Sequence, residues 1–301
     1  MATREAQLGW ALIAIGVIVV LIITALVLTG TFRHRGEAAE QIRREGEGIR
    51  WITIGGIVLP AIVLLAAFGL TLKVLRSQQL PSRSSDVTIE IVGHRWWWEL
   101  RYQGANSQQH AVTANEIHIP VGRPVRVALK SGDVIHSFWV PELGGKTDLI
   151  PGQENVIWLQ ADRAGVYRGQ CAEFCGAQHA QMALMVVAEA PDDFARWFAL
   201  QQEGAPAPTG AALRGRDAFV GGPCALCHEI RGTEAGGRQG PDLTHLAGRK
   251  TIAAGLLPND RGKLTAWILD PQTIKPGSLM PRMRLNDQDV AAMVEYLETL
   301  Q

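Results

Sequence analysis

Two cysteines, a histidine and a methionine stand close together near the middle of the chain. Cys171 and Cys175 are followed by His179, four positions further on, and by Met182, three positions after that. Soft sulfur and imidazole donors select copper, zinc or iron–sulfur clusters, whereas hard cations prefer oxygen. A structural zinc site would need a second ligand pair, and none is nearby. Because copper tolerates a thioether as a weak ligand, the pattern favours copper.

A further ligand is expected from the segment Asp133-Val-Ile-His136, with His136 at the end of a strand that begins at Val125. Two cysteines, two histidines and a methionine are too many ligands for one copper ion. They suit two copper ions bridged by both thiolates, with a backbone carbonyl, for which Glu173 is the candidate, in the last position. The simpler alternative is a buried pair of free cysteines beside a chance histidine, since free cysteine is often a small core residue.

The other two cysteines lie in the run Cys224-Ala-Leu-Cys227-His228. This spacing is typical of covalent haem c attachment through both thiols, with the adjacent histidine as an axial ligand of the iron. A redox-active dithiol, or half of a zinc site, would fit the bare motif equally well. The surrounding sequence must therefore decide between these possibilities.

The sequence after the Cys-x-x-Cys-His motif favours haem. The run Lys275-Pro-Gly-Ser-Leu-Met280-Pro offers a sixth iron ligand on a loop, and residues 287–300 predict a closing helix. Met280 is the predicted axial ligand, and Met283 is the alternative. His245 is predicted to be a surface or structural histidine, because the motif already supplies a histidine.

Length and composition exclude some classes of function. With 301 residues the chain can form two or three domains. The formal net charge is zero, which argues against a nucleic-acid partner. The four cysteines form two close pairs, which suit metal and cofactor attachment better than a disulfide framework.

Two uncharged runs near the N-terminus, residues 10–29 and 51–72, predict a transmembrane hairpin within residues 1–80. Each is about as long as the roughly 20 residues that a bilayer core requires. A signal peptide would have a shorter apolar region. The alternative is a buried helix of a soluble protein. Pro60 is expected to kink the second span.

The residues between the two spans are rich in arginine, whereas only Arg4 precedes the first span. The arginines concerned are Arg33, Arg35, Arg43, Arg44 and Arg50. Because cytoplasmic loops carry the excess of positive charge, this loop is predicted to be cytoplasmic and both termini to lie outside.

Short alternating segments follow a polar linker at residues 78–86 and predict a β-sandwich or barrel. The predicted strands are 87–92, 95–102, 116–119, 125–129, 154–160, 166–169 and 183–189. Copper ligands on loops at one end favour a cupredoxin-like Greek-key barrel over residues 86–203, including a trailing helix that begins at Pro191. A Gly- and Pro-rich break then precedes a third domain, residues 211–301.

The order His136, Cys171, Glu173, Cys175, His179, Met182 resembles the binuclear CuA site of cytochrome c oxidase subunit II. Residues 211–301 resemble an all-α class I cytochrome c domain. Together with the two spans, these features are similar to the subunit II of haem–copper oxidases that carry their own cytochrome c.

This resemblance implies electron flow from an external donor, such as cytochrome c or another small redox protein, to haem c. The electrons would then pass to CuA and on to haem a in subunit I, where oxygen is reduced to water with proton translocation. A third subunit and membrane lipid are further expected partners, and a bacterial inner membrane is the expected location, with the C-terminal domains on the periplasmic side.

The resemblance also assigns single residues. Trp96, in the run Trp96-Trp97-Trp98, matches the position at which relatives accept an electron from soluble cytochrome c; packing is the alternative role. The side chain of Glu173 matches a position that reaches a Mg²⁺ shared with subunit I. His94 is assigned a structural role. No proton-channel residue is assigned, because the start of the second span reads Arg50-Trp-Ile-Thr53-Ile-Gly-Gly, without the glutamate that relatives often carry in this region.

Two other functions share parts of this pattern. A CuA-containing subunit of a nitric oxide reductase would carry the same copper motif. A copper storage or delivery protein would bind copper but have no use for haem c. The charges around the copper motif are mixed, so the immediate electron donor stays open.

Overall fold

The computed structural model describes residues 2–32, 45–77, 87–104, 106 and 108–301. Contacts between residues divide the chain into two compact units, Met1–Pro81 and Ser82–Gln301. Most of the predicted arginine-rich loop, residues 33–44, and the predicted linker, residues 78–86, lie outside the described residues.

The described part of the first unit contains two long apolar helices. Helix α1 spans Ala2–Phe32, and within it Ala6–Phe32 has a mean hydropathy of 3.3. The second helical stretch contains the candidate span Gly48–Arg76, with a mean hydropathy of 2.4. Both are long and apolar enough to cross a membrane, as the uncharged runs predict.

The second helical stretch, α2, has three consecutive segments. An α-helical segment, Glu45–Thr53, leads into a π-helical turn, Ile54–Val58, and the α-helix resumes over Leu59–Ser77. The π-helical turn contains Gly56, the residue whose carbonyl the ring of Pro60 would meet in a regular α-helix. The wider turn therefore accommodates the proline.

The N-terminal half of the second unit is formed by β-strands. In the described residues they are β1 (Thr88–His94), β2 (Trp97–Gln103), β3 (His110–Ala114), β4 (Glu116–Pro120), β5 (Val125–Ser131), β6 (His136–Trp139), β7 (Thr147–Leu149), β8 (Asn155–Leu159), β9 (Gly165–Cys171) and β10 (Ala183–Glu189). Two five-stranded sheets result, in the orders β3-β2-β1-β5-β8 and β4-β10-β9-β6-β7.

The two sheets pack around one apolar core. Alternate residues of β2, Trp98, Leu100 and Tyr102, are buried, because successive side chains of a strand point to opposite faces. Strands β1 and β5 pair in parallel, as do β4 and β10, while the other neighbours are antiparallel. This mixed two-sheet arrangement confirms the predicted cupredoxin-like fold.

The predicted placement of His136 is wrong. Strand β5 ends at Ser131, and His136 is the first residue of the next strand, β6. Between them, Ser131 Oγ accepts from the backbone N–H of Asp133 at 3.2 Å and donates to the carbonyl of Val134. These side-chain bonds close a turn that the apolar pattern does not reveal. Strands β3 and β7 were not predicted either.

Helices follow the strands. Their bounds are α3 (Pro191–Leu200), α4 (Ala211–Val220), α5 (Arg261–Leu269), α6 (Pro271–Ile274) and α7 (Asp287–Leu297). Helix α3 packs Phe194 and Phe198 on the core of the sheets. Helices α4 and α7 lie close together because Gly215 has no side chain: a Cβ there would lie 1.9 Å from the carbonyl oxygen of Ala292.

The helices after α3 enclose a second apolar core, separate from that of the sheets. Tyr296 and Leu300 are fully buried in it. Besides the helices, this region contains one short two-stranded sheet, Thr251–Ile252 and Leu257–Pro258. The mainly helical region agrees with the predicted cytochrome c fold class. The domain limits 86–203 and 211–301 stay predictions.

Candidate metal centres

Cys171 and Cys175 are buried beside each other. Cys171 is the last residue of β9, and Cys175 lies in the turn that follows. Their sulfur atoms are 3.8 Å apart, and neither forms a disulfide. Gly176, with a φ of 116°, turns the chain after Cys175 in a conformation that favours glycine. Two thiols thus face one small volume.

His136 reaches this volume from β6. Its Nδ1 lies 3.9 Å from the sulfur of Cys171, and its Nε2 lies 2.8 Å from a carboxylate oxygen of Asp133. The ring is fully buried, and Gly93 makes room for it, because a Cβ there would lie 2.9 Å from the imidazole. A carboxylate on the outer nitrogen is the usual way to fix a metal-binding histidine.

The remaining copper ligands predicted from the sequence meet at the same place. His179 Nδ1 and Met182 Sδ lie 3.7 and 3.8 Å from the sulfur of Cys175. The backbone carbonyl of Glu173 lies 3.2 Å from the sulfur of Cys171. The structure therefore brings the four other predicted groups around the sulfur atoms of Cys171 and Cys175, although the roles of all six as ligands stay predictions.

The charges around the sulfur pair favour one thiolate. The adjacent thiol of Cys175 and the ring of His136 lower the pKa of Cys171. Its thiolate in turn raises the pKa of Cys175. A second proton is therefore hard to remove unless a cation takes its place, which couples metal binding to proton release. Buried thiolate, imidazole and thioether donors together fit copper.

The second candidate centre is the Cys-x-x-Cys-His motif. Cys224 and Cys227 are half-buried and free, in and just after a short turn, Pro223–Leu226. His228 Nδ1 lies 2.8 Å from the carbonyl oxygen of Pro241, so this nitrogen carries the proton and donates it. The other nitrogen, Nε2, is left as the group that could bind iron.

Gly240 determines how closely the chain approaches the imidazole of His228. A Cβ at Gly240 would lie 2.6 Å from Cε1 of that ring. Burial lowers the pKa of His228, which favours the neutral ring that metal coordination requires. These features fit the proximal side of a haem site.

Met280 lies on a loop held by one glutamine. Gln272 Nε2 donates to the carbonyl oxygen of Met280 at 2.6 Å and to that of Ser278 at 2.8 Å. Met280 and Met283 are both half-buried. The choice between Met280 and Met283 as the axial ligand stays a prediction.

Trp96 lies directly against the copper loop, the segment after β9 that carries Cys175, His179 and Met182. Its indole N–H donates to the carbonyl oxygen of Cys175 at 3.0 Å. Gly176 permits this approach, because a Cβ there would lie 3.0 Å from the indole ring. Trp96 is half-buried in the turn before β2, and its electron-accepting role stays a prediction.

Comparison with known proteins assigns the family. Two family models match, "Cytochrome C oxidase subunit II, periplasmic domain" over residues 105–189 and "Cytochrome c" over residues 212–301. Cytochrome c oxidase subunit 2 of Alkalihalophilus pseudofirmus is 35% identical over 290 residues, which cover 94% of this chain and 82% of that protein. The chain belongs to the cytochrome c oxidase subunit 2 family.

Other members of this family are also similar. Cytochrome c oxidase subunit 2 of Bacillus subtilis is 28% identical over 289 residues, covering 89% of this chain and 80% of that protein. The crystal structure of the periplasmic domain of subunit II (CoxB) of Bradyrhizobium japonicum matches with 30% identity and a TM-score of 0.37, over 40% of this chain and 96% of that chain. The predicted family and its enzyme class, cytochrome c oxidase, are confirmed.

Several residues outside the predicted ligand set contribute to the two centres of this subunit 2 chain. Asp133, which holds His136, precedes that candidate ligand by three positions, and this spacing is a usable sequence signal. Gln272, which holds the Met280 loop, has no such signal, because its partners depend on the loop conformation. His94 Nε2 contacts Glu99 at 3.0 Å, and the buried His245 contacts the carbonyl oxygens of Gln301 and Glu203. The structural roles predicted for both histidines stay predictions.

The side chain of Glu173 points away from the sulfur pair. It is 44% exposed, and its carboxylate lies 3.6 Å from the ammonium of Lys146. Lys146 also lies 3.8 Å from Asp148. Within the described residues, this carboxylate thus pairs with a lysine, and its predicted role in binding Mg²⁺ stays a prediction.

Proposed function

We propose that this chain is the electron-transfer subunit of a haem–copper terminal oxidase. It accepts electrons through its own haem c, passes them to a binuclear CuA centre and on to haem a of subunit I, where oxygen is reduced to water with proton translocation. The observation that carries the proposal is the pair of sulfur atoms 3.8 Å apart, surrounded by imidazole, thioether and carbonyl donors in a chain that also has a haem c motif.

One group of residues would form the copper centre. His136, His179, Met182 and the carbonyl of Glu173 would complete the copper coordination around the two thiolates. When bound, the copper pair and the haem supply one-electron transfer. The hydrogen bond that His136 Nε2 donates to Asp133 fixes one imidazole, and the rigid sheets beneath the loops limit movement of the ligands during the redox cycle.

The haem would be held by thioether bonds to Cys224 and Cys227, with His228 and Met280 as axial ligands. Histidine and methionine ligation raises the reduction potential of a haem, which suits a carrier near the end of a respiratory chain. The carbonyl of Pro241 holds the His228 ring in the tautomer that leaves Nε2 free.

The proposed location is the bacterial inner membrane, with two spans and both termini on the periplasmic side. The excess of arginine between the spans supports this orientation. Oxygen chemistry is assigned to the partner subunit I, and a third subunit and an external redox protein complete the expected partners. The Mg²⁺ shared through Glu173 is part of the same proposal.

Metal analysis and spectroscopy of the complete purified chain test this function. We expect two copper ions and one low-spin haem c per chain, with an electron paramagnetic resonance pattern produced by two equivalent copper nuclei. A pattern from a single copper nucleus would contradict the binuclear assignment. Rapid loss of copper to a chelator, without haem, would favour a copper delivery protein.

A further inference from the structure

Lys275 is a buried lysine with no role in the two centres described above. It is 3% exposed, and burial lowers the pKa of its ammonium to about 7. Burying an ammonium group is costly unless all of its donors find acceptors. Here three backbone carbonyl oxygens accept from Nζ: those of Trp96 at 2.8 Å, Gln181 at 2.9 Å and Ala253 at 3.2 Å.

These three carbonyls come from three separate parts of the second unit. Trp96 lies in the turn before β2, and Gln181 lies in the copper loop between His179 and Met182. Ala253 belongs to the turn between two short strands of the cytochrome c region, Thr251–Ile252 and Leu257–Pro258. One ammonium group therefore joins the copper loop, the Trp96 turn and the cytochrome c region.

The turn containing Ala253 is itself held against the copper region. Ala253 and Ala254 have positive φ angles of 55° and 60°, a conformation that costs energy for any residue except glycine. The carbonyl of Ala254 accepts from the backbone N–H of Ala183 at 3.0 Å. A strained backbone conformation of this kind persists only where neighbouring residues hold it in place. The hydrogen bond from Lys275 Nζ to the carbonyl of Ala253 is one of the contacts that do so.

Lys275 also begins the turn that leads to Met280. The backbone N–H of Ser278 donates to the carbonyl of Lys275 at 3.1 Å. With Pro276 at the second position and Gly277 at the third, with a φ of 83°, this is a type II turn. A Cβ at Gly277 would lie 4.0 Å from the indole of Trp96, so the turn reaches the ring that contacts the copper loop.

A second contact joins the same two loops. The side-chain amide of Gln178, which precedes His179 in the copper loop, donates to the carbonyl of Pro276 at 2.6 Å. The turn at Lys275 is thus held from the copper side by Gln178 and from within by its own ammonium. Together these two contacts fix the position of the turn relative to Trp96.

We propose that Lys275 is a positioning residue for electron transfer between the two metal centres. Its ammonium holds the turn that leads to Met280 against Trp96 and against the loop that carries the copper ligands. This inference rests on the proposed function, because it concerns the step in which haem c is oxidised and the copper pair is reduced by one electron.

Substitution Lys275→Met tests the proposal in the complete chain loaded with copper and haem. A photoexcited ruthenium complex reduces haem c, and the absorbance of the haem then reports its reoxidation by the copper pair. Electron transfer between two redox centres slows exponentially as the distance between them grows. We therefore expect transfer several-fold slower in Lys275→Met, with unchanged optical and paramagnetic resonance spectra of both centres.

Lys263→Met is the matched control, because it removes the same charge from an exposed position in α5. It should transfer electrons at the rate of the unsubstituted chain. Equal rates in the unsubstituted and Lys275→Met proteins would overturn the role of Lys275 alone. Absence of transfer in the unsubstituted protein would overturn the proposed function and this inference with it.

A measurement on the unsubstituted protein keeps the proposal testable if Lys275→Met does not retain its metals. An amine-acylating reagent should modify the exposed side chains of Lys250 and Lys263 while Lys275 stays unmodified. Modification of Lys275 as fast as that of Lys263 in the folded chain would show that the ammonium does not hold the loops together, and would overturn the proposal.

Discussion

The histidines His136 and His228 are held in the same way but by partners of different charge. Each is predicted to bind a metal, and each has its outer ring nitrogen 2.8 Å from an oxygen atom. The partner of His136 is the carboxylate of Asp133, whereas the partner of His228 is the neutral carbonyl of Pro241. Burial lowers the pKa of both rings, but Cys171 and Asp133 outweigh it at His136, where the pKa is raised.

This difference matches the charge that each centre would receive. The copper region gathers thiols and a carboxylate, whose negative charge would compensate metal cations in a buried place. The haem region instead keeps a neutral imidazole in low-dielectric surroundings, and the described structure places no carboxylate on that ring. Each environment should therefore respond to substitution separately from the other.

The strongest way to break the comparison is to remove one thiol from each region. Cys175→Ser should abolish the binuclear copper signal, because a hydroxyl does not replace a bridging thiolate at neutral pH, while the haem spectrum stays unchanged. Cys224→Ser should leave haem attached through one thioether bond and copper intact. Both are measured by metal content and spectra of the purified chain. Loss of both cofactors in either variant would contradict separate centres.

The next prediction concerns the distal side of the haem. Met280→Ala should lower the reduction potential of the haem, because thioether ligation raises it. We expect a fall on the order of 0.1 V, within the roughly 0.8 V range that axial ligands set. Met283→Ala is the matched variant and should leave the potential unchanged in a spectroelectrochemical titration. The opposite pattern would identify Met283 as the ligand.

Asp133→Asn sharpens the comparison at the copper histidine. The carboxylate accepts from His136 and, at 2.7 Å, from the backbone N–H of Arg95, so an amide N–H would face one of these donors. Loss of such an outer partner weakens metal binding by about 10- to 100-fold, which competition with a copper chelator measures. Asp162→Asn removes the same charge from an exposed loop and should have no effect; unchanged affinity in Asp133→Asn would contradict the role of the carboxylate.

The sequence predicts those parts of both centres whose ligands are close along the chain. Cys171 to Met182 lie on one loop, and Cys224 to His228 form one turn, so spacing alone brings these residues together. The structure places the candidate ligand His136 beside the sulfur pair, but its strand was misplaced. Side-chain hydrogen bonds of Ser131 and Asp133 end β5 and leave no mark on the apolar pattern.

The contacts between loops could not be predicted in this way. The acceptors of Lys275 are backbone carbonyls, and any residue type supplies a carbonyl, so no sequence pattern marks Trp96 or Gln181 as its partners. Similarly, Met280 and Met283 differ little in sequence context, and the distance of each from His228 depends on the path of an irregular loop. The sequence therefore predicts a contact well when specific side chains make it. It predicts a contact poorly when a backbone carbonyl makes it, because every residue has one.

Gly240→Ala tests the haem-side histidine with a smaller effect. The added Cβ would lie 2.6 Å from the ring of His228, so the imidazole or the Pro241 carbonyl must shift. Overpacking of this kind costs about 1–3 kcal/mol of unfolding free energy, which a denaturant titration measures. Gly236→Ala is the control, because a Cβ there meets nothing within 4 Å. Equal stability of the two variants would show that the ring of His228 is not tightly held. In that case only His136, which is bound to a carboxylate, would be fixed in position, and the two histidines would not be held in the same way.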